Sequence, residues 1–337
     1  NLLQFDDEYG GGRHRVSAVA GQTSLRNEFV QSTAFRRGFA NEALQEINAG
    51  LQTTAQATGF RIPFRNNSAL ARATYAYRDR YLFTGSARYD CSSRFSPDNR
   101  CGTFGAASVG WVMSEEGFFR SIPVLGRADF LKLRASTGVL GDQNIGDLRT
   151  AVPITQNINY LVGGNIVTGA TQTIIPNTNL RWQRNRSTDI GFDLGVLNNT
   201  LNFTVDYYQN NADQILVNLP LAGSLGSEAL PAFNAGRVRN AGFELGATHR
   251  YERGKFRLNS QLAVTTTSNR VQSIGIGGQP IFRGFGPNPL RPDVEIARTA
   301  VGGPIGEFFL IQTAGIFQNQ SEIDAHTTAV RNADGTT

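Results

Sequence analysis

Hydrophobic and polar residues alternate with a period of two along much of the chain, which is typical of β-strands with one apolar and one polar face. Over residues 81–90 the apolar face has a tyrosine at each end, Tyr81 and Tyr89. The same division recurs over residues 131–139, 188–196, 201–208, 243–248 and 256–264, and further strands are predicted over 15–21, 69–77, 103–113 and 306–317. The pattern predicts about ten antiparallel strands. A short helical turn is predicted only over 114–126, after a Ser-Glu-Glu start.

The connections between these strands alternate between short and long. Tight turns are predicted at 77–80, 197–200 and 251–255, and long Gly/Pro/Asn-rich connections at 22–67, 141–179, 209–240 and 270–303. Short periplasmic turns and long extracellular loops are typical of an outer-membrane β-barrel, and strands of roughly ten residues fit a tilted bilayer crossing. A soluble β-sandwich explains the alternation equally well but gives no reason for the sorting of the loops.

Composition favours strands and argues against a basic nucleic-acid-binding surface. Charged residues make up 18% of the chain, and Gly 37, Phe 22 and Tyr 9 contrast with Met 1. The net charge is +5, but the basic residues are mostly single, scattered arginines, so no nucleic-acid partner is predicted. No apolar run is long enough for a transmembrane helix, and the chain starts without a signal peptide. We expect a piece of a longer protein, cut at both ends.

A series of short motifs resembles one family. Residues 76–90 read AYRDRYLFTGSARYD and are followed by SSRF at 92–95, GW at 110–111 and SEE at 114–116. Further motifs follow in order: LKLRAS at 131–136 with Gly138, Gly141 and Asn144, NLRW at 179–182, DYY at 206–208, NAGFEL at 240–245, GPIG at 303–306 and GIFQ at 315–318. Their number, order and spacing closely resemble SusC/RagA-type TonB-linked outer-membrane proteins.

The resemblance implies a transmembrane β-barrel of 22 strands with an N-terminal plug, in the outer membrane of a Gram-negative, Bacteroidetes-like bacterium. It implies import of large nutrients such as oligosaccharides or peptides, energy supplied through TonB, and a SusD-like surface lipoprotein that closes the extracellular mouth. The alternatives are a siderophore-type TonB-dependent receptor and a soluble β-sandwich adhesin or carbohydrate-binding module.

The resemblance of this chain covers only the middle and later part of such a barrel. Residues 1–337 are therefore expected to form one partial barrel domain, without signal peptide, plug or final strands. About ten strands cannot close a barrel of 22, so we expect an open, all-β antiparallel sheet with two unpaired edges.

Six charged residues are predicted on the inward, polar faces of the strands. They are Lys132, Arg134, Asp189, Asp193, Asp206 and Glu244. They are candidates to line a solute path, because barrel interiors are polar and wet. The favoured interpretation is that they contact the plug or pair across strands to hold the wall.

No catalytic or cofactor site is predicted. The three histidines, His14, His249 and His326, are far apart in sequence and beside no Ser or Cys nucleophile. Metal ligation would need His, Cys, Asp and Glu at tight spacings, which do not occur. The chain is therefore not expected to be an enzyme or to hold a cofactor.

Cys91 and Cys101 are candidates for a disulfide. They bracket a loop between two predicted strands, so strand pairing would bring their Cα atoms within bridging range. In an oxidising compartment such a bridge would stabilise the fold by about 2–3 kcal/mol. Two free thiols are the alternative. The resemblance gives no support, because the family usually has other residues at both positions.

Overall fold

The computed structural model describes residues 1–44, 46–145, 154–171, 176–218, 232–275, 277–284, 295–310 and 315–325. They belong to two compact units. The larger comprises residues 1–280 and 300–305, and the smaller comprises 281–299 and 306–337.

The larger unit contains one extensive antiparallel sheet and one separate hairpin. The strands of the sheet are β1 Leu2–Tyr9, β2 His14–Phe35, β3 Gln56–Tyr77, β4 Tyr81–Ser92, β5 Cys101–Val112, β6 Phe130–Asp142, β9 Gln183–Val196, β10 Leu201–Asn218, β11 Ala232–Arg253, β12 Phe256–Thr265 and β13 Ser268–Ser273. They follow the order β1-β2-β3-β4-β5-β6-β9-β10-β11-β12, with β13 also beside β11. The hairpin is formed by β7 Thr155–Val162 and β8 Asn165–Thr171.

The sheet has two edges. Both β12 and β13 pair with β11, at Glu244 opposite Thr265 and at Ala241 opposite Ser268, so they act as one interrupted strand. Among the described residues, β1 pairs only with β2, and the β12/β13 strand pairs only with β11. The predicted open, all-β antiparallel sheet of about ten strand positions is confirmed.

The two ends of the sheet differ in their connections. Residues 10–13, 78–80, 197–200 and 254–255 close tight turns at one end, which we call the short-turn end. Arg78 and Asp79 have φ of 51° and 53° and are the central residues of a turn in which the Arg80 N–H donates to the Tyr77 carbonyl oxygen at 3.0 Å. Positive φ at both central residues matches the twist of the flanking strands. At the opposite end, β2, β6 and β10 end at Phe35, Asp142 and Asn218 and are followed by longer connections, and we call it the long-loop end.

Strand register sorts the side chains into an apolar face and a polar face. One row of the apolar face runs across seven strands: Tyr75, Phe83, Val109, Ala135, Ile190, Tyr207 and Phe243. Ile190 and Phe243 are each 58% exposed. Monomers surrounded by water rarely expose a continuous apolar surface of this breadth, so it indicates contact with a membrane or another protein.

Several strands are longer than predicted, and two predicted loops were wrong for that reason. β2 and β3 extend through most of 22–67, while β10 and β11 extend into 209–240. Beyond Gly21, nearly every residue of β2 is exposed on both faces. Apolar alternation arises only where one face is covered, so such a ladder leaves no periodic signal in the sequence.

Other elements also differ from expectation. The β7–β8 hairpin lies within the predicted loop 141–179, and β1 was not predicted because Asp6 and Asp7 interrupt the alternation of LLQFDDEY. The short helical turn predicted over 114–126 is present as 3₁₀ segments that begin at Met113, Phe119 and Leu125.

The smaller unit contains a three-stranded antiparallel sheet of β14 Ile281–Gly284, β15 Glu295–Thr299 and β16 Glu307–Phe308, and a helix, α1 Gln320–Ala325. Of the strand predicted over 306–317, residues 307–308 form β16. The prediction was wrong for 309–310 and 315–317, which are not in a strand, and 311–314 lie outside the described residues. Within the described ranges, no helix has the length and apolar character needed to cross a bilayer.

Candidate functional site

A cluster of charged side chains centred on Arg134 of β6 lies on the polar face. The guanidinium contacts Asp193 through Nε to Oδ2 at 3.1 Å and Nη2 to Oδ1 at 3.3 Å, and it contacts Asp206 through Nη2 to Oδ2 at 2.8 Å. The carboxylate of Asp189 is farther away, with Oδ1 3.9 Å from Nη1. One cation therefore faces three carboxylates from two strands.

Gly191 makes this arrangement possible. Arg134 pairs with Gly191 of β9, and Gly191 pairs with Asp206 of β10, so the three positions form one row across three strands. Because residue 191 has no side chain, Arg134 reaches across β9 to Asp206. A Cβ at position 191 would overlap Asp206 Oδ1 and lie 2.5 Å from the carbonyl oxygen of Val205. Glycine is required here by space, not by backbone conformation.

Asp206 is the most buried member of the cluster, with 7% of its surface exposed. Its Oδ1 accepts no hydrogen bond from the described residues, so Arg134 supplies its charge partner. Asp193 has a second donor, Thr204, whose Oγ1 lies 3.2 Å from Oδ1. Because a buried carboxylate without a cation is costly, Arg134 binds β6, β9 and β10 together.

Lys132 and Glu244 flank the Arg134 cluster. In register, Lys132 is opposite Asp193 and Glu244 is opposite Asp206. Among the described residues, neither side chain forms a salt bridge within 4.0 Å. The structure thus brings all six predicted residues to neighbouring positions on one face, with four carboxylates and two cations. Arg134, Asp193 and Asp206 are engaged with one another, whereas Lys132 and Glu244 are not part of this ion-pair network.

A small polar cavity of about 260 Å³ adjoins the cluster. Lys132, Arg134, Asp189 and Ser136 contribute to its lining. Fixed charges and hydroxyl groups of this kind bind polar solutes through hydrogen bonds and ion pairs. In the part of the chain that the structure describes, no three His, Cys, Asp or Glu side chains are grouped to hold a metal ion.

Cys91 of β4 and Cys101 of β5 lie directly opposite each other at the long-loop end, with Cα atoms 4.1 Å apart, and are joined as a disulfide in the structure. The bridge closes the 93–100 connection. Beside it, Phe95, Phe104, Leu180 and Trp182 form a buried cluster, and Trp182 Nε1 donates a hydrogen bond to the Arg100 carbonyl oxygen at 3.1 Å. This cluster attaches the end of the 143–182 connection to the β4–β5 hairpin.

Glu116, in the connection between β5 and β6, was missed by sequence reasoning as a structural residue. Its Oε1 accepts hydrogen bonds from the Tyr81 hydroxyl at 2.6 Å and from Trp111 Nε1 at 3.1 Å, and Arg80 Nη1 lies 3.6 Å from Oε2. These donors, Tyr81 first, lower the pKa of Glu116. Only the Ser-Glu-Glu motif marks it in the sequence, and the motif does not reveal the partners.

The histidines lie apart from the charged cluster. His14 and His249 are on the apolar face, where each makes ring contacts with tyrosines, and His14 Nδ1 lies 2.8 Å from the Tyr75 hydroxyl. His326 is outside the described residues.

Comparison with known proteins identifies the family. Residues 2–291 match the family described as TonB dependent receptor-like, beta-barrel. The chain belongs to this family, and within it to the SusC/RagA type. TonB-dependent receptor P39 of Formosa agariphila is 32% identical over 246 residues, which are 73% of this chain and 23% of the relative. TonB-dependent receptor SusC of Bacteroides thetaiotaomicron is 34% identical over 181 residues, which are 52% of this chain and 18% of the relative.

Solved structures show the same fold. The RagAB peptide transporter superposes with a TM-score of 0.79 at 20% identity. The match covers 94% of the present chain and 33% of the RagAB chain. The outer membrane transporter YddB from Escherichia coli gives a TM-score of 0.54 at 12% identity, covering 80% of this chain and 33% of that one. The chain thus spans about a third or less of the length of these relatives. Within this family the apolar face is the outer, lipid-facing surface of a barrel wall.

Proposed function

We propose that this chain is a wall and loop module of a TonB-dependent outer-membrane importer of large nutrients, either oligosaccharides or peptides. The observation that carries the proposal is the match of residues 2–291 to the TonB-dependent receptor barrel, together with 34% identity to SusC over 181 residues. The RagAB peptide transporter shares the fold, and both substrate classes therefore enter the test.

Two partners belong to this proposal. A SusD-like surface lipoprotein closes the mouth at the long-loop end, and TonB supplies energy from the periplasmic side. The short-turn end faces the periplasm and the long-loop end faces the exterior, in keeping with the loop asymmetry of outer-membrane barrels. The chain carries out no covalent chemistry, and its role is solute binding and passage.

Within the lumen, we assign two roles to the charged cluster. Arg134, Asp193 and Asp206 hold the wall through ion pairs at 2.8–3.3 Å, while Lys132 and Glu244 face the solute. Lys132→Gln and Glu244→Gln should therefore change uptake without changing the unfolding temperature, whereas Arg134→Gln should lower the unfolding temperature. The assignment fails if Lys132→Gln destabilises the protein as much as Arg134→Gln does.

The function is tested by deleting the gene in its own bacterium and measuring uptake of labelled oligosaccharides, peptides and ferric siderophores. We expect loss of uptake for one oligosaccharide or peptide class, and co-purification of a surface lipoprotein with the tagged protein. Loss of siderophore uptake alone would replace this proposal with a siderophore receptor. Recovery of the protein from the soluble periplasmic fraction would favour a β-sandwich adhesin or binding module instead.

A further inference from the structure

The connection between β5 and β6 does not project into water but folds back over the apolar face at the short-turn end. Phe119 and Ala128 of this connection are buried against Leu131 at the start of β6. Phe192 and Leu194, on the same face of β9, pack against this group. The connection therefore covers the last rows of the surface that faces lipid in this family.

The outward side of the same connection is apolar as well. Phe118 is 49% exposed and Val124 is 82% exposed, and Leu125 is also exposed. The Phe118 ring lies 6.3 Å from the ring of Trp111, which pairs with Tyr81 at the ends of β5 and β4. Large apolar groups thus point away from the sheet at the level where the lipid-facing surface ends.

Val124 is held in an uncommon backbone conformation. Its φ of 68° and ψ of −59° place it in a γ-turn of the strained hand, and the Leu125 N–H donates to the Pro123 carbonyl oxygen at 2.8 Å. A β-branched residue rarely adopts positive φ, because its Cβ substituents clash with the backbone. The strain projects an isopropyl group outward at the tip of the connection, where water would give it no favourable contact.

The charges of this segment are of one sign. From Gly117 to Ala128 the sequence GFFRSIPVLGRA contains two arginines and no acidic residue. Arg120 is tied to the segment through its Nη1, which donates to the carbonyl oxygens of Gly126 and Ala128 at 3.1 and 3.0 Å. Arg127 is exposed beside the apolar tip. Apolar groups with adjacent arginines match the boundary between acyl chains and anionic phosphates.

We propose that residues 118–127 are an interfacial anchor, in which Phe118, Val124 and Leu125 insert into the periplasmic leaflet and Arg127 faces lipid phosphates. The inference rests on the membrane location of the chain and is independent of the imported substrate. Continuity with the lipid-facing surface selects lipid as the occupant over a periplasmic protein. The anchor would fix the height of the barrel wall in the bilayer at this point of its circumference.

The test places a nitroxide spin label on Val124→Cys in the intact protein, reconstituted into vesicles of phosphatidylethanolamine and phosphatidylglycerol. Accessibility is measured to oxygen, which concentrates in the bilayer, and to a water-soluble nickel chelate. Leu133→Cys, on the apolar face, is the membrane reference, and Leu51→Cys, exposed in the 36–55 connection, is the water reference. The unsubstituted protein gives the labelling blank, since Cys91 and Cys101 are bridged.

We expect the label at residue 124 to resemble the Leu133 label, with oxygen access exceeding nickel access severalfold, and the Leu51 label to show the reverse order. A label at residue 124 that resembles the Leu51 label overturns the anchor. A label shielded from both reagents also overturns it, because a protein surface then covers the site. If the Leu133 label itself reports water, the membrane location of the chain fails and not the anchor alone.

Discussion

The space left by Gly191 can be tested by filling it. In Gly191→Ala the new methyl group would overlap Asp206 Oδ1 and lie 2.5 Å from the Val205 carbonyl oxygen. The carboxylate can rotate away only by weakening its contact with Arg134 Nη2 at 2.8 Å, and the carbonyl belongs to the β9–β10 ladder. Overpacking of this kind destabilises by about 1–3 kcal/mol.

Gly246→Ala is a matched control on the same polar face. A Cβ there would meet no atom closer than the Thr204 Cβ at 3.7 Å. Neither glycine has a positive φ, so alanine suits both backbones and only the available space differs. In the control, the smaller entropy of the unfolded chain should stabilise by about 0.4–1 kcal/mol.

The readout is the apparent unfolding temperature of the intact protein in detergent, followed by the circular dichroism of its strands. One scan rate is used throughout, because unfolding of large proteins is often irreversible. We expect Gly191→Ala to unfold several degrees below the unsubstituted protein and Gly246→Ala to unfold at or above it. Equal unfolding temperatures for the two variants would refute the reasoning that Gly191 is required by space.

Three further predictions concern charge and covalent bonding. Arg134→Gln should destabilise the protein by about 1–3 kcal/mol, which lies between the values for exposed and buried ion pairs. Arg257→Gln is the control and should destabilise it by less than about 0.5 kcal/mol, because Arg257 is largely exposed. Equal unfolding temperatures for the two variants would contradict the role of Arg134 in holding the wall. Without reductant, Cys91 and Cys101 should not react with an alkylating reagent, as measured by mass spectrometry. The double serine variant should lose about 2–3 kcal/mol of its free energy of unfolding, and two readily alkylated thiols would exclude the bridge. The interactions that lower the pKa of Glu116 stabilise the fold at pH values above the unfolded pKa of 4.5. This stabilisation is lost as the pH falls through the lowered pKa of the folded state. Acidification from about pH 6 to about pH 3 should therefore lower the unfolding temperature less in Glu116→Gln than in the unsubstituted protein. Identical pH profiles for the two proteins would show that the hydrogen bonds to Glu116 add no stability.

The strands that carry alternation were predictable, and those without it were not. Residues 81–90 and 188–196 lie in the parts of β4 and β9 where one face is apolar and the other polar, and the period of two reveals them. The outer parts of β2 and β3 have water on both sides, so their composition resembles that of loops. The segment 306–317 shows the opposite error, because apolar residues such as Phe309 and Ile316 continue the apparent pattern beyond β16, where the described residues form no ladder.

The charged cluster was predictable in membership but not in geometry. The alternation of apolar and polar positions along each strand is enough to place Arg134, Asp193 and Asp206 on the polar face from the sequence alone. Their joint contact depends on the register that aligns Arg134, Gly191 and Asp206 across three strands, which one strand's sequence does not encode. Glu116 could not be predicted, because its donors Tyr81 and Trp111 come together only through strand pairing and the fold of the connection.

In the proposed importer, the long ladder of β2 and β3 lies at the mouth that the SusD-like lipoprotein would close. Arg26–Phe35 pairs with Gln56–Arg65 beyond the last residues of β4, and this ribbon is about 33 Å long at about 3.3 Å per residue. Its backbone is already ordered by hydrogen bonds, so a partner that lands on it has little conformational freedom to remove. In that proposal the ribbon is a pre-organised support, and repeated opening and closing of the lipoprotein over it would require no cycle of folding and unfolding beneath.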